Sequence, residues 1–447
     1  MANQFLNAQE YANTMLLLAK NQLVTGKLVT GKFKNEVSDE NGLTISVKRP
    51  PRFARNDASA MSASLAAQDV ITGSVNVAVD QYAKVHISVG DIEYVQSYNA
   101  LMKNETMKSA ASTLAHQIDA HLQRQVAKFS SYAGGTATFS TDPNNYIGTP
   151  AEFNKVHTKL MDLGVPNSDL VSTVLFNDGE EIRGSLIGGD IQGTNKTALE
   201  RTRIPILSEI DVYATQQVPS ITNGTRVAGA TSLIDNGTLS VNYRDVKTTM
   251  VQTIHIDGQS SGVTIAVGEK ITIANVYAYD WRNQVTLPYL QVFTVVGGAS
   301  TASGSVPNGS ALGTTIETDA GGDIDLIISP PLIVAGSSDG VSTAANTAFA
   351  TVNAAAVDGA AVTHLGVAST TRRVRAAWHK SAITLVSAKL QTPFTGTASF
   401  ATDPETGISI RYWRGSDIST GAHVHRWDCL YGAQNLDPLM GSEISGA

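Results

Sequence analysis

Between Leu43 and Phe129 the chain writes two alternating segments around a basic turn and then one very long helical stripe, a layout hard to fold compactly by itself. Leu43, Ile45 and Val47 alternate with polar residues and run into Lys48, Arg49, Pro50, Pro51, Arg52 and Arg55. Val75, Val77, Val79, Ala83, Val85, Ile87 and Val89 resume the two-residue period, as a half-buried returning strand should. After Tyr94 the period changes. Met107, Ala111, Leu114, Ala115, Ile118, Leu122, Val126 and Phe129 recur at three- and four-residue steps, one face of a helix with no proline to break it. Counted from Tyr94, the helix is expected to run about 36 residues, ~54 Å, against about 11–12 residues for an ordinary helix. A long hairpin feeding a long rod predicts an assembling protein, completed by neighbouring subunits.

At 447 residues the chain should divide into several domains, because single cores stop growing beyond about 250–300 residues. Charged residues are only 16%, below the ~25% usual for soluble domains, so neighbouring chains are expected to cover part of the surface, the alternative being a secreted β-rich protein with a neutral surface. A net charge of -7 argues against a dedicated nucleic-acid binder, which would neutralise phosphates with clustered Lys and Arg. Met1, Ala2, Asn3 and Gln4 give no cationic lead, and the run from Met15 to Ala19 is too short for a signal or membrane segment. The expectation is a chain that folds in the cytosol. Cys429 is the single cysteine, so no intrachain disulfide can form.

Residues 5–23 read as an amphipathic arm helix, with Phe5, Ala8, Tyr11, Ala12, Met15 and Leu16 on its apolar face. A second helix is punctuated by Thr149 as N-cap, Pro150, Glu152 closing a capping box, and Gly164 with Pro166 ending it. A short strand at Ser172–Phe176, a helix through Ile187 and a strand at Pro205–Ala214 follow. From Ile221 the pattern becomes all-β, with β-branched runs at Met250–Ile256, Val263–Val267, Ile271–Tyr279, Leu290–Val296 and Ile324–Ile328. This predicts a β-barrel inserted into a host domain between roughly residues 223 and 372. Gly297–Asp323, rich in Gly, Ser, Thr and Ala, reads as a flexible exposed loop.

Several motifs are better explained without chemistry. Gly26–Lys32 nearly spells a P-loop, but Phe33 stands where a magnesium-binding Ser or Thr is needed, so a turn after the arm helix is expected. Gly258, Gln259, Ser260, Ser261 and Gly262 spell a nucleophile elbow, but a strand follows where a helix is required. His423, His425, Asp428 and Cys429 are metal-capable, yet on a strand 428 faces away from 423 and 425, so structural or interface histidines are expected. His116 and His121, five apart, do not share a helix face. Lys48, Arg49, Arg52 and Arg55 form the one dense basic run, open to three readings: a nucleic-acid contact, a localisation-like signal, or a hairpin tip reaching acidic residues on a neighbour; the acidic total favours the third and makes them the candidate inter-subunit contacts.

Three passages carry a resemblance: Gly268–Val276 (GEKITIANV), Ala361–Ser387 (AVTHLGVASTTRRVRAAWHKSAITLVS), and the ending with Arg426, Leu430, Tyr431, Gly432 and Pro438. In their order and spacing the chain resembles the major coat proteins of tailed double-stranded DNA phages, in particular the P-twenty-two type. The resemblance implies an α+β fold of the Hong Kong 97 type with an inserted β-barrel. Residues 1–42 would form the N-arm, 43–93 the E-loop hairpin, 94–170 the peripheral domain with the spine helix, and 171–222 the first part of the axial domain. The barrel would span 223–372, and 373–447 would supply the second axial part and a C-terminal β unit. It further implies hexamers and pentamers closing an icosahedral shell, scaffolding and portal proteins as partners, packaged DNA nearby without tight binding, no cofactor and no membrane. Assembly would take place in the host bacterial cytoplasm. The alternatives at this stage are an encapsulin-like compartment, a β-rich hydrolase using Ser260, and a carbohydrate-binding adhesin.

Overall fold

In a computed structural model of the chain, the structure describes residues 8–31, 44–55, 68–89, 105–133, 147, 150–187, 206–226, 232–235, 237–341, 343–417 and 422–444. The arm helix is Ala8–Gln22, followed by strands β1 (Thr44–Lys48), β2 (Ser74–Ala78) and β3 (Gln81–Val89) and by the long helix Glu105–Val126. Then come β4 (Tyr132–Ala133), the helix Ala151–Asp162, β5 (Leu170–Val174), the helix Phe176–Ile187, β6 (Asp211–Ala214) and β7 (Ser220–Thr222). The barrel region holds β8 (Ser232–Ile234), β9 (Gln252–Asp257), β10 (Thr264–Ala266), β11 (Lys270–Asp280), β12 (Val285–Ser300), β13 (Gly304–Val306), β14 (Thr315–Glu317), β15 (Ile324–Ser329) and β16 (Ala361–Leu365). The chain ends with β17 (Thr371–Arg373), β18 (Arg375–His379), β19 (Ile383–Ala388), β20 (Thr397–Thr402), β21 (Ser409–Asp417), β22 (Ala422–Asn435) and β23 (Gly441–Ile444).

Contacts divide the chain into two units. The first gathers residues 1–47, 76–125 and 383–436; the second holds 48–75, 126–382 and 437–447. In the first unit β20, β21, β22 and β3 lie side by side, and β19 continues the sheet along the far end of β22. The arm helix packs on β20 and β21. Its Tyr11 ring lies 5.4 Å from that of Tyr412, and its Lys20 ammonium binds Asp403 at 3.1 Å and Glu405 at 2.6 Å. The long helix contributes Met107, Ala111, Leu114, Ala115, Ile118 and Leu122, all buried at the predicted spacing. Its described length is 22 residues; the expected start at Tyr94 lies outside the described residues.

In the second unit a closed barrel runs β11–β16–β8–β9–β15–β12 and back to β11. Closure gives every one of these strands two neighbours, which removes the sheet edge that an open barrel would leave to other chains. The interior is filled by the inward-facing residues of the alternating runs, including Ile254, Ile256, Ile271, Ile273, Phe293, Val295, Ile324, Leu326 and Ile328. Beside it in the same unit stands a sheet ordered β4–β23–β18–β5–β6, on which the helix Ala151–Asp162 packs through Phe153, Val156 and Leu160. That helix ends as its sequence demands. Gly164 has φ +79°, Val165 N–H donates to the Leu160 carbonyl at 3.0 Å and Gly164 N–H to Met161 at 2.9 Å, the two bonds of a Schellman ending.

Two expectations are corrected. The segment Gly297–Asp323 is built into the barrel region: β13 pairs with β12, β14 pairs with β10, and Val306, Ile316 and Thr318 are buried. Its glycines permit close approach, since a Cβ on Gly298 would sit 2.3 Å from the Asp325 carbonyl oxygen. The returning strand of the hairpin is two strands: β2 pairs with β1, whereas β3 pairs with β22 along Gln81–Val89. Residues 373–447 divide between two sheets. β18 and β23 join β5, but β19 to β22 pair with β3 in the first unit. The open N–H and C=O groups along β3 match β22 over nine residue pairs.

Candidate assembly surfaces and the buried charge network

The basic segment leaves β1 at Lys48, which is exposed. Arg49 turns inward: its N–H bonds the Gly73 carbonyl at 2.8 Å and its guanidinium the Lys247 carbonyl at 3.3 Å. The approach needs glycine at 73, where a Cβ would meet the Lys247 oxygen at 2.5 Å and the Tyr243 hydroxyl at 2.7 Å. Arg52 binds Asp437 at 2.9 Å and lies 4.9 Å from the Trp281 ring and 5.5 Å from that of Phe349. Phe349 is stacked on Tyr243 at 3.6 Å. Arg55 is exposed, and its carbonyl accepts from Gln284 at 2.8 Å. The Gln68 amide bonds Ala54 twice, accepting from its N–H at 2.9 Å and donating to its carbonyl at 2.8 Å. The four cations therefore divide. Arg49 and Arg52 root the segment in its own chain, while Lys48 and Arg55 face outward; residues 56–67, between them and the return strand, lie outside the described residues.

Sequence reasoning missed a second constellation, which sits where β11 begins. Glu269 and Lys270 are consecutive and point to opposite sides. Glu269 accepts from the Gly224 and Ala266 amides at 2.6 and 2.9 Å and lies 3.4 Å from Arg226 and 3.7 Å from His364. Burial pushes its pKa up, but the imidazole, guanidinium and amide around it outweigh burial and hold the carboxyl below its ordinary range. Lys270, fully buried, donates to the Ala127 carbonyl at 3.2 Å, to the Phe129 carbonyl, and to Thr294 Oγ1 at 2.7 Å. Its ammonium stands 3.8 Å from Glu443, which also binds Arg372. Burial pulls the Lys270 pKa down to about 7, with Glu443 opposing the fall. These bonds tie β11 of the barrel to β23 of the adjoining sheet and to the segment after the long helix. The GEKITIANV passage and the AVTHLG–STTRRVRA passage meet here, through Glu269, Lys270, His364 and Arg372. The signal in the sequence was the pair of adjacent opposite charges opening an otherwise apolar strand.

The motifs set aside on sequence grounds sit in structural roles. The Thr25–Lys27 turn does bind an anion, but the anion is the chain's own Asp119, which accepts from Val24 N–H at 2.8 Å and Gly26 N–H at 2.9 Å. Burial raises the Asp119 pKa against those amides. Lys32 and Phe33 lie outside the described residues. Gly258 and Gly262, at φ +81° and +77°, flank a turn between two strands, with β10 where an elbow needs a helix. His425 is buried with its Nδ1 2.7 Å from the Tyr412 hydroxyl, and burial lowers its pKa to about 4. Asp428 is held by Arg411 and Arg426 at 2.6 Å each. Burial pushes the Cys429 thiol up to about 12. His121 packs edge-on against Tyr431, while His116 is exposed. Among the described residues no group of His, Cys, Asp and Glu is placed to hold a metal ion, and no described helix is long and apolar enough to cross a membrane.

The chain belongs to the P22 coat protein (gene protein 5) family, whose model matches residues 1–446. It is a major capsid protein, a subunit of a phage head shell. No curated protein matches it. Among solved structures it is similar to that of Mycobacterium phage Che8, with 12% identity and a TM-score of 0.44 over 94% of this chain and 90% of that one. The capsid of Ralstonia phage GP4 is similar at 7% identity and TM-score 0.44, covering 94% of this chain and 87% of that one. The CUS-3 coat protein I-domain matches 31% of this chain over 97% of its own length, at 23% identity and TM-score 0.20.

Proposed function

We propose that the subunit performs no chemistry and builds its shell as hexamers and pentamers of a Hong Kong 97-type fold, assembled in the host bacterial cytoplasm. Scaffolding and portal proteins are its partners during assembly, and packaged DNA lies against it without being tightly held. The observation that carries this reading is the family match over nearly the whole chain. In this reading residues 1–42 act as the N-arm, 43–93 as the E-loop, 94–170 as the peripheral domain and 223–372 as the inserted barrel. The axial domain is drawn from 171–222 together with the parts of 373–447 that pair with β5. The net charge of -7 suits a container for DNA, because a cationic wall would bind phosphates and oppose sliding during packaging.

The basic segment supplies the steering contact. Lys48 and Arg55, the two exposed cations, carry the charge that meets a neighbour, while Arg49 and Arg52 fix the direction from which it is offered. Purified chain under assembly conditions should give uniform hollow particles by negative-stain electron microscopy; monomers alone would sink the shell reading. Lys48→Glu with Arg55→Glu should lower the yield of closed particles several-fold while the soluble subunit keeps its melting curve. An unchanged yield would remove the steering role.

A further inference from the structure

The sheet of the first unit has two unlike faces. On one, Tyr412, Trp427 and Val85 form a cross-strand row, and Tyr11 of the arm helix packs against that row. On the other, register places Trp413, Arg426 and His86 in one row and Phe400, Arg411, Asp428 and Lys84 in the next. Cations and rings alternate across it. Lys389 lies 5.0 Å from the Phe400 ring, Arg411 5.8 Å from Trp413, and Arg426 5.6 Å from Trp413 and 5.5 Å from Tyr82. Asp428 beneath them is fully buried and binds both arginines. Lys84, Lys389, His86 and Tyr82 are exposed. Four permanent cations thus stand over a single buried carboxylate, on the face turned away from the arm helix.

The second unit carries a surface of the opposite sign. Asp235, Asp323 and Asp325 gather around His255 on the outside of the barrel; the imidazole is 2.8 Å from Asp325 and 3.9 Å from Asp235, and Asp323 adds to the field on it. The Asp235 and Asp325 side chains are 58% and 48% exposed. Among the described residues no lysine or arginine bonds any of these three carboxylates. Other exposed acids, such as Glu405, Glu180 and Asp169, have Lys20, Arg183 and Lys380 beside them.

We propose that the cation-aromatic face of one subunit docks the acidic outer wall of the barrel on a second copy of this chain. Charge complementarity selects this occupant. Each copy offers both surfaces, so the contact is heterologous and repeats around a closed shell, where weak contacts reinforce one another. A single-stranded nucleic acid fits less well, because base stacking needs free ring faces and guanidiniums already lie over Trp413 and Tyr82. Carboxylates can still reach the outward edges of those guanidiniums and the two lysines. The proposal rests on the shell reading and adds which surfaces meet.

The test is a charge swap in the full chain. Lys84→Glu with Lys389→Glu, and separately Asp235→Lys with Asp325→Lys, should each slow shell formation by light scattering at least fivefold while the soluble subunit keeps its circular dichroism and melting midpoint. The quadruple variant should recover most of the wild-type rate. Wild-type rates in both double variants, or a quadruple variant slower than either, would overturn the docking. So would loss of retention on double-stranded DNA in the lysine variant with assembly unchanged, which would give the face to nucleic acid. If a reversal unfolds the subunit, Lys84→Gln with Lys389→Gln should show the same slowing at reduced size, and wild-type kinetics there would also overturn the proposal. A wild-type chain that forms no shells defeats the shell reading itself, a result distinct from every outcome among the variants.

Discussion

The barrel and the sheet of the first unit are both antiparallel β-structure, yet they spend their polar groups differently. In the barrel each strand has partners on both sides, and the charges at the start of β11 are buried, each beside groups of opposite charge. Among the described residues the sheet of the first unit has edges, and one of its faces displays exposed lysines and partly buried arginines and rings. A closed element can be complete within one chain. An open one with a charged face is finished by whatever lands on it, and the contrast separates residues that maintain the subunit from residues that join it to others.

The sharpest way to break the comparison is in the barrel core. Phe293→Ala should cost about 3–5 kcal/mol, because the cavity cannot collapse inside a closed cylinder; urea titration of the unassembled chain measures it. A smaller effect is expected in the first unit from Gly432→Ala. A Cβ there would lie 2.0 Å from the Ala78 carbonyl oxygen, an overpacking against backbone expected to cost ~1–3 kcal/mol in the same titration. The smallest effect at neutral pH comes from Lys270→Met, whose signature is its pH dependence. Lys270 is held near 7 in the folded chain, below its ordinary 10.5, so between those values the unfolded chain binds more protons and stability rises with pH. The wild-type melting midpoint should climb from pH 7 to pH 10 more than that of the Met variant; parallel curves would remove Lys270 as the source.

Much of this was legible in the sequence where a local rule applied. The arm helix, the long helix from Glu105, the Schellman ending at Gly164, four barrel strands and β10 follow from periodicity and punctuation. What failed depended on distant partners. Gly297 and Gly298 looked like flexibility because glycine-rich composition cannot distinguish mobility from backbones pressed together. The break at Asp80 was invisible because both sides of it alternate in the same phase. The Glu269–Lys270 network joins residues more than a hundred positions apart, so only the unusual charge pair at the head of an apolar strand announced it. The basic segment was visible as composition, but nothing local said that Arg49 and Arg52 would turn inward while Lys48 and Arg55 stayed out.

Cys429 gives the experimenter a clock. With its sulfur sealed between strands and its proton held tightly, a thiol reagent can label it only while the surrounding sheet is open. The labelling rate of free subunits and of finished particles would then compare how often that sheet opens before and after its neighbours lock in.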